Sequence, residues 1–505
     1  MERRGAIPIM VDVLISFWTP LLAVLQIAAA AAASAHAMLH KRDVRAAIGW
    51  IGLIWLVPFG GPILYGLFGI NRIRRRASVL RALKSQTRNS APGPMPTGPP
   101  SGRQGAGESA APMRPSPALP PHSAHLLPVV RLLDRITDES LTSGNTVQPL
   151  PSGEAAYDAM LAAIDDAVQT IGLATYIFDG DAIGRRFVDA LGRAVRRGVQ
   201  VRVLVDGVGS QYSRPRITGM LRSAGVVVAE FLPSLIPLSL HYANLRNHRK
   251  ILVVDGRIGF TGGMNIRGGH LQMIGPAAVA DVHFRLEGPV VAHLTETFAA
   301  DWAFAWGEDL AGEGWWPALG PVGTVLARGI AGGPDEAFER VRWALLAALS
   351  QAQRRIRIAT PYFLPDRSLA ASLQLAALRG VAVEVLLPEV SNLRLMQWAM
   401  QAKLYPFVAR GCRLWLTPPP FDHAKLMTVD GGWCLIGSAN WDPRSLRLNF
   451  EFVVECYDAE ITAALDRLID KRLARARLLE KREIVERPLA VRLRDSAAWL
   501  LSPYL

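Results

Sequence analysis

The sequence predicts an α/β protein of two tandem domains with sheets covered by helices, preceded by two N-terminal transmembrane helices. Three observations predict it. Residues 248–266, HRKILVVDGRIGFTGGMNI, and 423–441, HAKLMTVDGGWCLIGSANW, align without a gap. A second repeat, RRGVQVRVLV at 196–205 and LRGVAVEVLL at 378–387, follows a helix-period segment in each half, and before that a strand reaching an aromatic (GLATYIF at 172–178, RIATPYF at 357–363). Strand, helix, strand in both halves implies parallel sheet under helices. Third, two uncharged runs stand ahead of everything, at about 13–35 and 46–71.

Each run has the ~20 residues that a helix needs to cross about 30 Å of hydrocarbon. The second contains Pro58, Gly60, Gly61 and Pro62, breaks that membrane helices tolerate, with a kinked or partly re-entrant segment as the alternative. Arg3 and Arg4 lead the first run, Lys41, Arg42 and Arg45 lie between the two, and seven Lys/Arg lie between Arg72 and Arg88. The positive-inside rule then puts the body of the chain in the cytoplasm, on the inner face of a cell membrane. A cleaved signal peptide is the rival reading, since Ala35-His36-Ala37 has small-x-small spacing, but the apolar run exceeds the ~7–15 residues of a signal core.

Charge and composition set the remaining boundaries. The formal charge of +13 is uneven: residues 1–90 carry 12 Lys/Arg against 3 Asp/Glu, and 471–505 carry 9 against 4, which leaves the long middle near neutral. A nucleic-acid enzyme carries its basic footprint on the working domain, so no nucleic-acid partner is expected and a membrane surface is. From Ser90 the chain turns to Pro, Gly, Ser and Ala, the composition of a flexible tether. The predicted domains are therefore an anchor at 1–89, a tether at 90–126, α/β domains at 127–318 and 319–485, and a C-terminal segment at 486–505. In that segment apolar residues alternate with Arg487, Arg492 and Arg494, which suits either an interfacial helix or docking on the protein's own surface. Cys412, Cys434 and Cys456 have neither disulfide-framework nor zinc spacing and read as buried small hydrophobes.

The chemistry lies in the aligned blocks. His248, Lys250, Asp255, Gly262 and Asn265 match His423, Lys425, Asp430, Gly437 and Asn440. Each block predicts a strand, a tight turn beginning Asp-Gly, a return strand and a Gly-containing turn. His and Lys two apart on extended chain share a side. Lys is a poor metal ligand and carboxylates are few, so neither metal nor cofactor is expected. P-loop and GxSxG patterns are lacking. Lys charges and Asn amides suit the non-bridging oxygens of a phosphoryl group. Two imidazoles with an ordinary pKa of about 6.5 suit one nucleophile and one general acid/base. The set describes metal-free phosphodiester transfer through a phosphohistidine. Asp255 and Asp430 belong to the motif, and their turn positions favour holding its geometry.

HxKxxxxD followed by G(G/S)xN, present twice, resembles the signature of the phospholipase D superfamily. RNHRKILVVDGRIGFTGGMNI, GSANWDPRSLRLNFE, the spans ending LYGLFGINRIRRR and the ending RPLAVRLRDSAAWLLSPYL resemble the bacterial cardiolipin synthases more closely. The resemblance implies an active site at a pseudo-two-fold interface of two phospholipase D-like domains. It implies His248 as nucleophile, His423 as general acid, and Lys250, Lys425, Asn265 and Asn440 on the phosphate. It also implies a carboxylate orienting each imidazole. Glu451, in LNFE, matches that position for the second half; Pro276 stands at the first-half equivalent, and Asp281 resembles the family's substitute. The implied substrates are phosphatidylglycerol and other anionic phospholipids. The implied reaction joins two phosphatidylglycerols into cardiolipin and glycerol. Hydrolysis to phosphatidic acid, a nuclease and an inactive scaffold are the alternatives, the last opposed by two intact motifs.

Overall fold

The structure, a computed structural model, describes residues 6–41, 44–69, 117–212, 215–233, 245–271, 275, 278–334 and 339–502. Most of the predicted tether and the basic residues after the second run fall outside them. The chain divides into an N-terminal unit and a large body.

In the N-terminal unit, a helix runs Ala6–His40, and its segment Pro20–His40 is long and apolar enough to cross a membrane. The predicted second span is not one helix. Val44–Leu56 stops at 57–59, because Pro58 has no N–H to continue the ladder and Phe59 takes a φ of +56°. A short helix Gly60–Leu64 and a π-turn Tyr65–Gly69 follow. The pieces are stitched by Trp55 Nε1 donating to Ser34 Oγ at 3.1 Å and by a 2.8 Å hydrogen bond between Tyr65 Oη and His36 Nδ1. Buried Ala30 and Ala37 let the backbones approach closely.

In the body, one sheet holds fifteen of the described strands. The first half contributes β1 Thr142–Leu150, β2 Thr170–Thr175, β3 Gln200–Asp206, β4 Val227–Phe231, β5 Ile251–Val254, β6 Ile258–Gly262 and, after a two-residue β7 at Val279–Ala280, β8 His283–Glu287. The second contributes β9 Val325–Gly332, β10 Arg355–Ala359, β11 Ala382–Pro388, β12 Arg413–Thr417 and, after a two-residue β13 at Phe421–Asp422, β14 Leu426–Val429, β15 Trp433–Gly437, β16 Glu451–Tyr457 and β17 Arg477–Leu478. The spatial order is β17-β12-β11-β10-β14-β15-β16-β9-β1-β8-β6-β5-β2-β3-β4. Apart from β17 it reads alike inward from both edges, so the sequence duplication emerges as a pseudo-two-fold about the β1–β9 seam.

The sheet is mixed rather than parallel. Only β2-β3-β4 and β10-β11-β12 run parallel within it. The motif strands β5-β6 and β14-β15 are hairpins, which can pair only antiparallel. Alternate residues of β5 explain the layering: Leu252 and Val254 join a first-half core with Phe187 and Leu191, while Ile251 and Val253 face the other side. On that side one core mixes Phe284 and Phe298 of the first half with Phe452, Leu465 and Ile469 of the second. At about 1.5–3 kcal/mol for each large apolar side chain buried, the shared core commits the halves to one another.

Both Asp-Gly turns have φ above zero at both residues, the type I′ geometry of a two-residue hairpin (Asp255 50°, Gly256 61°; Asp430 54°, Gly431 71°). The Asp255 carboxylate accepts from the N–H groups of Val168, Gln169 and Thr170. Asp430 accepts from those of Gln353, Arg354 and Arg355. Each aspartate thus pins its hairpin to the start of β2 or β10.

Two segments differ from their composition. Pro121–Leu126, counted with the tether, forms a 3-10 turn against the second half: Leu126 is buried, Ser123 Oγ donates to the Gly432 carbonyl at 2.8 Å, and His125 meets Asp430 at 2.8 Å. At the other end, helix Leu489–Leu500 docks on helix Arg394–Gln401. Fully buried Asp495 pairs with Arg487 and Arg494, and Lys403 lies 3.3 Å over the Trp499 ring. Leu489, Leu493 and Leu500 remain exposed.

Candidate active site

His248 and Lys250 occupy an extended lead-in just before β5, and His423 and Lys425 the matching lead-in before β14. In each case a residue of the other half carries the lead-in. The His248 N–H donates to the Phe450 carbonyl at 2.9 Å, and the His423 N–H to the Ala280 carbonyl at 2.7 Å, next to the parallel β7–β13 pair. The halves therefore exchange short segments where the histidines stand.

The exchange extends to the side chains. His248 Nδ1 lies 3.0 Å from both carboxylate oxygens of Glu451, and His423 Nδ1 lies 2.8 Å from Asp281 Oδ2. Each imidazole is held by the carboxylate of the opposite half, whereas the sequence match assigns Glu451 to its own half. A carboxylate on Nδ1–H fixes ring and tautomer and leaves Nε2 for the site. His248, His423, Asn265 and Asn440 all line one cavity of about 400 Å³. Lys250 and Lys425 lie buried a layer behind it, their Nζ groups donating to the carbonyls of His248 and His423 at 2.7 and 2.5 Å. Asp255 and Asp430 do not line it.

The difference between GGMN and GSAN has a physical cause. A Cβ on Gly263 would sit 2.4 Å from Asp281 Oδ1, so only glycine leaves room for that carboxylate. At the equivalent place Ser438 Oγ donates to Glu451 at 2.5 Å, and Asn449 Nδ2 adds a bond at 3.1 Å. The preceding Gly262 and Gly437, with φ of +151° and +145°, press against the neighbouring strand, where a Cβ would meet Val282 and Phe452 carbonyls at 2.8 and 2.3 Å.

Burial governs the electrostatics. It holds both imidazoles well below their usual range, and the two lysines add to the effect. It also lowers the Lys250 ammonium to about 7, against the pull of Glu451, and Lys425 to about 8, against Asp281. The Glu451 carboxyl rises to about 7, with Lys250 opposing. The empty site thus offers neutral imidazoles and reluctant ammoniums, a combination that an arriving anion stabilises.

Several wall residues carry no motif signal. Tyr176, Arg246, His270, Tyr362, Asp442 and Arg444 line the cavity. Arg249, fully buried, pairs with Asp301 at 2.5 Å and donates to the Glu451 carbonyl at 3.0 Å, bracing the exchanged segments. Arg246 stands two residues before His248, where the same alternation that pairs His with Lys would have found it.

A family model described as "Cardiolipin synthase, PLD-like domain" matches residues 160–302 and 345–473, and one described as "Phospholipase_D-nuclease N-terminal" matches 27–69. The chain is 31% identical to the major cardiolipin synthase ClsA of Bacillus subtilis over 479 residues, 92% of this chain and 95% of that protein. It is 32% identical to cardiolipin synthase A of Pseudomonas putida over 483 residues, 94% and 95% of the two. Its fold is similar to that of a phosphatidylserine synthase from Haemophilus influenzae, with a TM-score of 0.59 at 16% identity over 75% of this chain and all of that one.

Two predictions follow from this geometry. Gly263→Ala, by displacing Asp281, lowers turnover about 100-fold, the cost of an ångström-scale misplacement. Ser438→Ala, which removes one of several bonds to Glu451, costs about 10-fold or less; equal effects in steady-state assays contradict the packing account. Secondly, kcat/KM reports the free enzyme. The lysines' lowered pKa values mean that their charge is present below about 7 to 8 and lost above, so kcat/KM falls as pH rises through that window. A profile flat to pH 10 contradicts the assignment.

Proposed function

This chain belongs to the phospholipase D-like cardiolipin synthase family, and on that premise we propose that it joins two phosphatidylglycerols into cardiolipin and glycerol. The observation that carries the reading is the crossed pair of carboxylate–imidazole contacts on Nδ1, made by two histidines that line one cavity.

In the first step, His248 Nε2 attacks phosphorus of one phosphatidylglycerol and the bond to its terminal glycerol breaks. The departing oxygen takes a proton from the His423 imidazolium. The lipid's anionic phosphate offsets the lysine charges that otherwise disfavour that imidazolium. Asn265 and Asn440 hold the non-bridging oxygens, and the Lys250 and Lys425 charges just behind the cavity wall stabilise the negative charge concentrated there. In the second step, a hydroxyl of another phosphatidylglycerol gives its proton to neutral His423 as its oxygen attacks phosphorus. The P–N bond breaks and His248 is regenerated. Glu451 and Asp281 hold the imidazoles, while Asp255 and Asp430 hold the hairpins. Every proton moves between groups of the chain and its substrates, so no metal is called for.

The substrates lie in a bilayer, and the N-terminal unit suits anchoring there. We read the helix Ala6–His40 as one span and the broken segment 44–69 as a second, with both chain ends cytoplasmic. Support comes from nine Lys/Arg on the flanks against three in the connection.

Two experiments test this. Purified protein given phosphatidylglycerol alone yields cardiolipin and glycerol in equal amounts, and excess EDTA leaves the rate intact; phosphatidic acid as main product, or full loss restored by one divalent ion, contradicts the mechanism. A reporter fused after Leu505 is active in its cytoplasmic form; activity of a periplasmic reporter there overturns the topology.

A further inference from the structure

The cavity is larger than one phosphate requires, and its wall carries charge that the transfer step does not use. Arg246 and Arg444, both half-buried, line it with the histidines. They come from opposite halves but hang on adjacent residues: the Arg444 carbonyl accepts from the Asn449 N–H and the Arg246 carbonyl from the Phe450 N–H, both at 2.9 Å. This is the stretch that leads into Glu451 and carries the His248 backbone, so both arginines spring from main chain fixed relative to the nucleophile. Among the described residues, Arg444 donates to no carboxylate; Asp442, near it, spends its Oδ1 on the Ser445 N–H as a helix cap. The two cations feel each other: burial and Arg246 lower the Arg444 pKa, with Asp442 and Asp206 opposing. Two guanidiniums from different halves at one cavity wall are stabilised by an anion between them.

Spacing suits one anion in particular. Arg246 stands two residues before His248 on extended chain, so their Cα atoms lie about 7 Å apart by backbone rise. A glycerol bridge between two phosphates spans a similar distance. Cardiolipin has that bridge: one phosphate from the donor, the other already present in the acceptor. Water and simple alcohols bring no second phosphate.

We propose that Arg246 and Arg444 form a second anion site that takes the acceptor phospholipid's phosphate and directs the phosphatidyl group to a lipid hydroxyl instead of water or a neutral alcohol. The inference rests on the phosphatidyltransferase reading and adds to it the determinant of acceptor choice.

The test is acceptor competition in one tube. Purified full-length protein receives phosphatidylglycerol micelles plus ethanol, and cardiolipin and phosphatidylethanol are quantified together. Both products share the donor step, so their ratio is independent of the amount of folded enzyme. Arg444→Gln lowers the cardiolipin-to-phosphatidylethanol ratio about 10- to 100-fold, the factor expected for lost hydrogen bonds to a charged group. Arg246→Gln shifts it the same way, and Arg444→Lys, which keeps charge but not the fork, lies between. A ratio within twofold of the unsubstituted protein in all three variants overturns the proposal. So does parallel loss of both products, which places the arginines on the donor. Should the unsubstituted protein make neither product from phosphatidylglycerol, the transferase reading fails instead.

Discussion

Everything at this site depends on a carboxylate crossing from one half of the chain to the imidazole of the other. Glu451 holds His248 and Asp281 holds His423, so each acid–imidazole pair at the cavity draws its two members from different halves. The backbone reinforces the exchange through His248 to Phe450 and His423 to Ala280. The core shared beneath the sheet supplies the cohesion that keeps the seam closed while the cavity above it stays open. Duplication alone gives two copies of a motif. Exchange gives them unequal surroundings, since Glu451 is served by Ser438 and Asn449 while Asp281 is served by the space that Gly263 leaves. In the mechanism we propose, unequal surroundings let two identical imidazoles take different parts in one reaction.

The charges follow the same logic. Two lysines, two carboxylates and two imidazoles are packed where water hardly reaches, a costly arrangement for isolated ions. The cost is contained because the ammoniums and carboxylates balance in number and the imidazoles stay neutral. The wall differs: Arg246, Arg267 and Arg444 line it against two carboxylates, Asp179 and Asp442. In the mechanism we propose, a phosphate entering the cavity meets reluctant ammoniums behind the wall and guanidiniums on it, and its charge stabilises an imidazolium.

Much of this was legible in the sequence, because the spacing of His, Lys, Asp, Gly and Asn repeats without a gap and each residue type has a chemical reason. The Asp-Gly turns took their expected shape, and the structural part foreseen for Asp255 and Asp430 appears as three backbone bonds each. The crossing was not legible. Which copy of a duplicated element faces which is a tertiary property, and Glu451 is nearer in sequence to His423 than to the His248 it holds. Parallel sheet was overestimated because strand–helix–strand describes only the outer strands, while the hairpins that carry the motif pair antiparallel. The breaks named at Pro58, Gly60, Gly61 and Pro62 do interrupt the second run, but hydropathy could not say how far, since an uncharged run says nothing of backbone hydrogen bonds. The C-terminal segment was open between two surfaces, and buried Asp495 with its two arginines explains the face that docks on the protein.

The central claim is that Glu451, from the second half, serves the nucleophile of the first. It is tested most directly by single-turnover labelling with a phosphatidyl donor whose leaving group needs no proton, followed by mapping of the acid-labile adduct. The account predicts that Glu451→Gln sharply slows labelling of the peptide that contains His248. Asp281→Asn should label at nearly the normal rate and release the lipid slowly. The opposite pattern, labelling lost in Asp281→Asn and intact in Glu451→Gln, would contradict it.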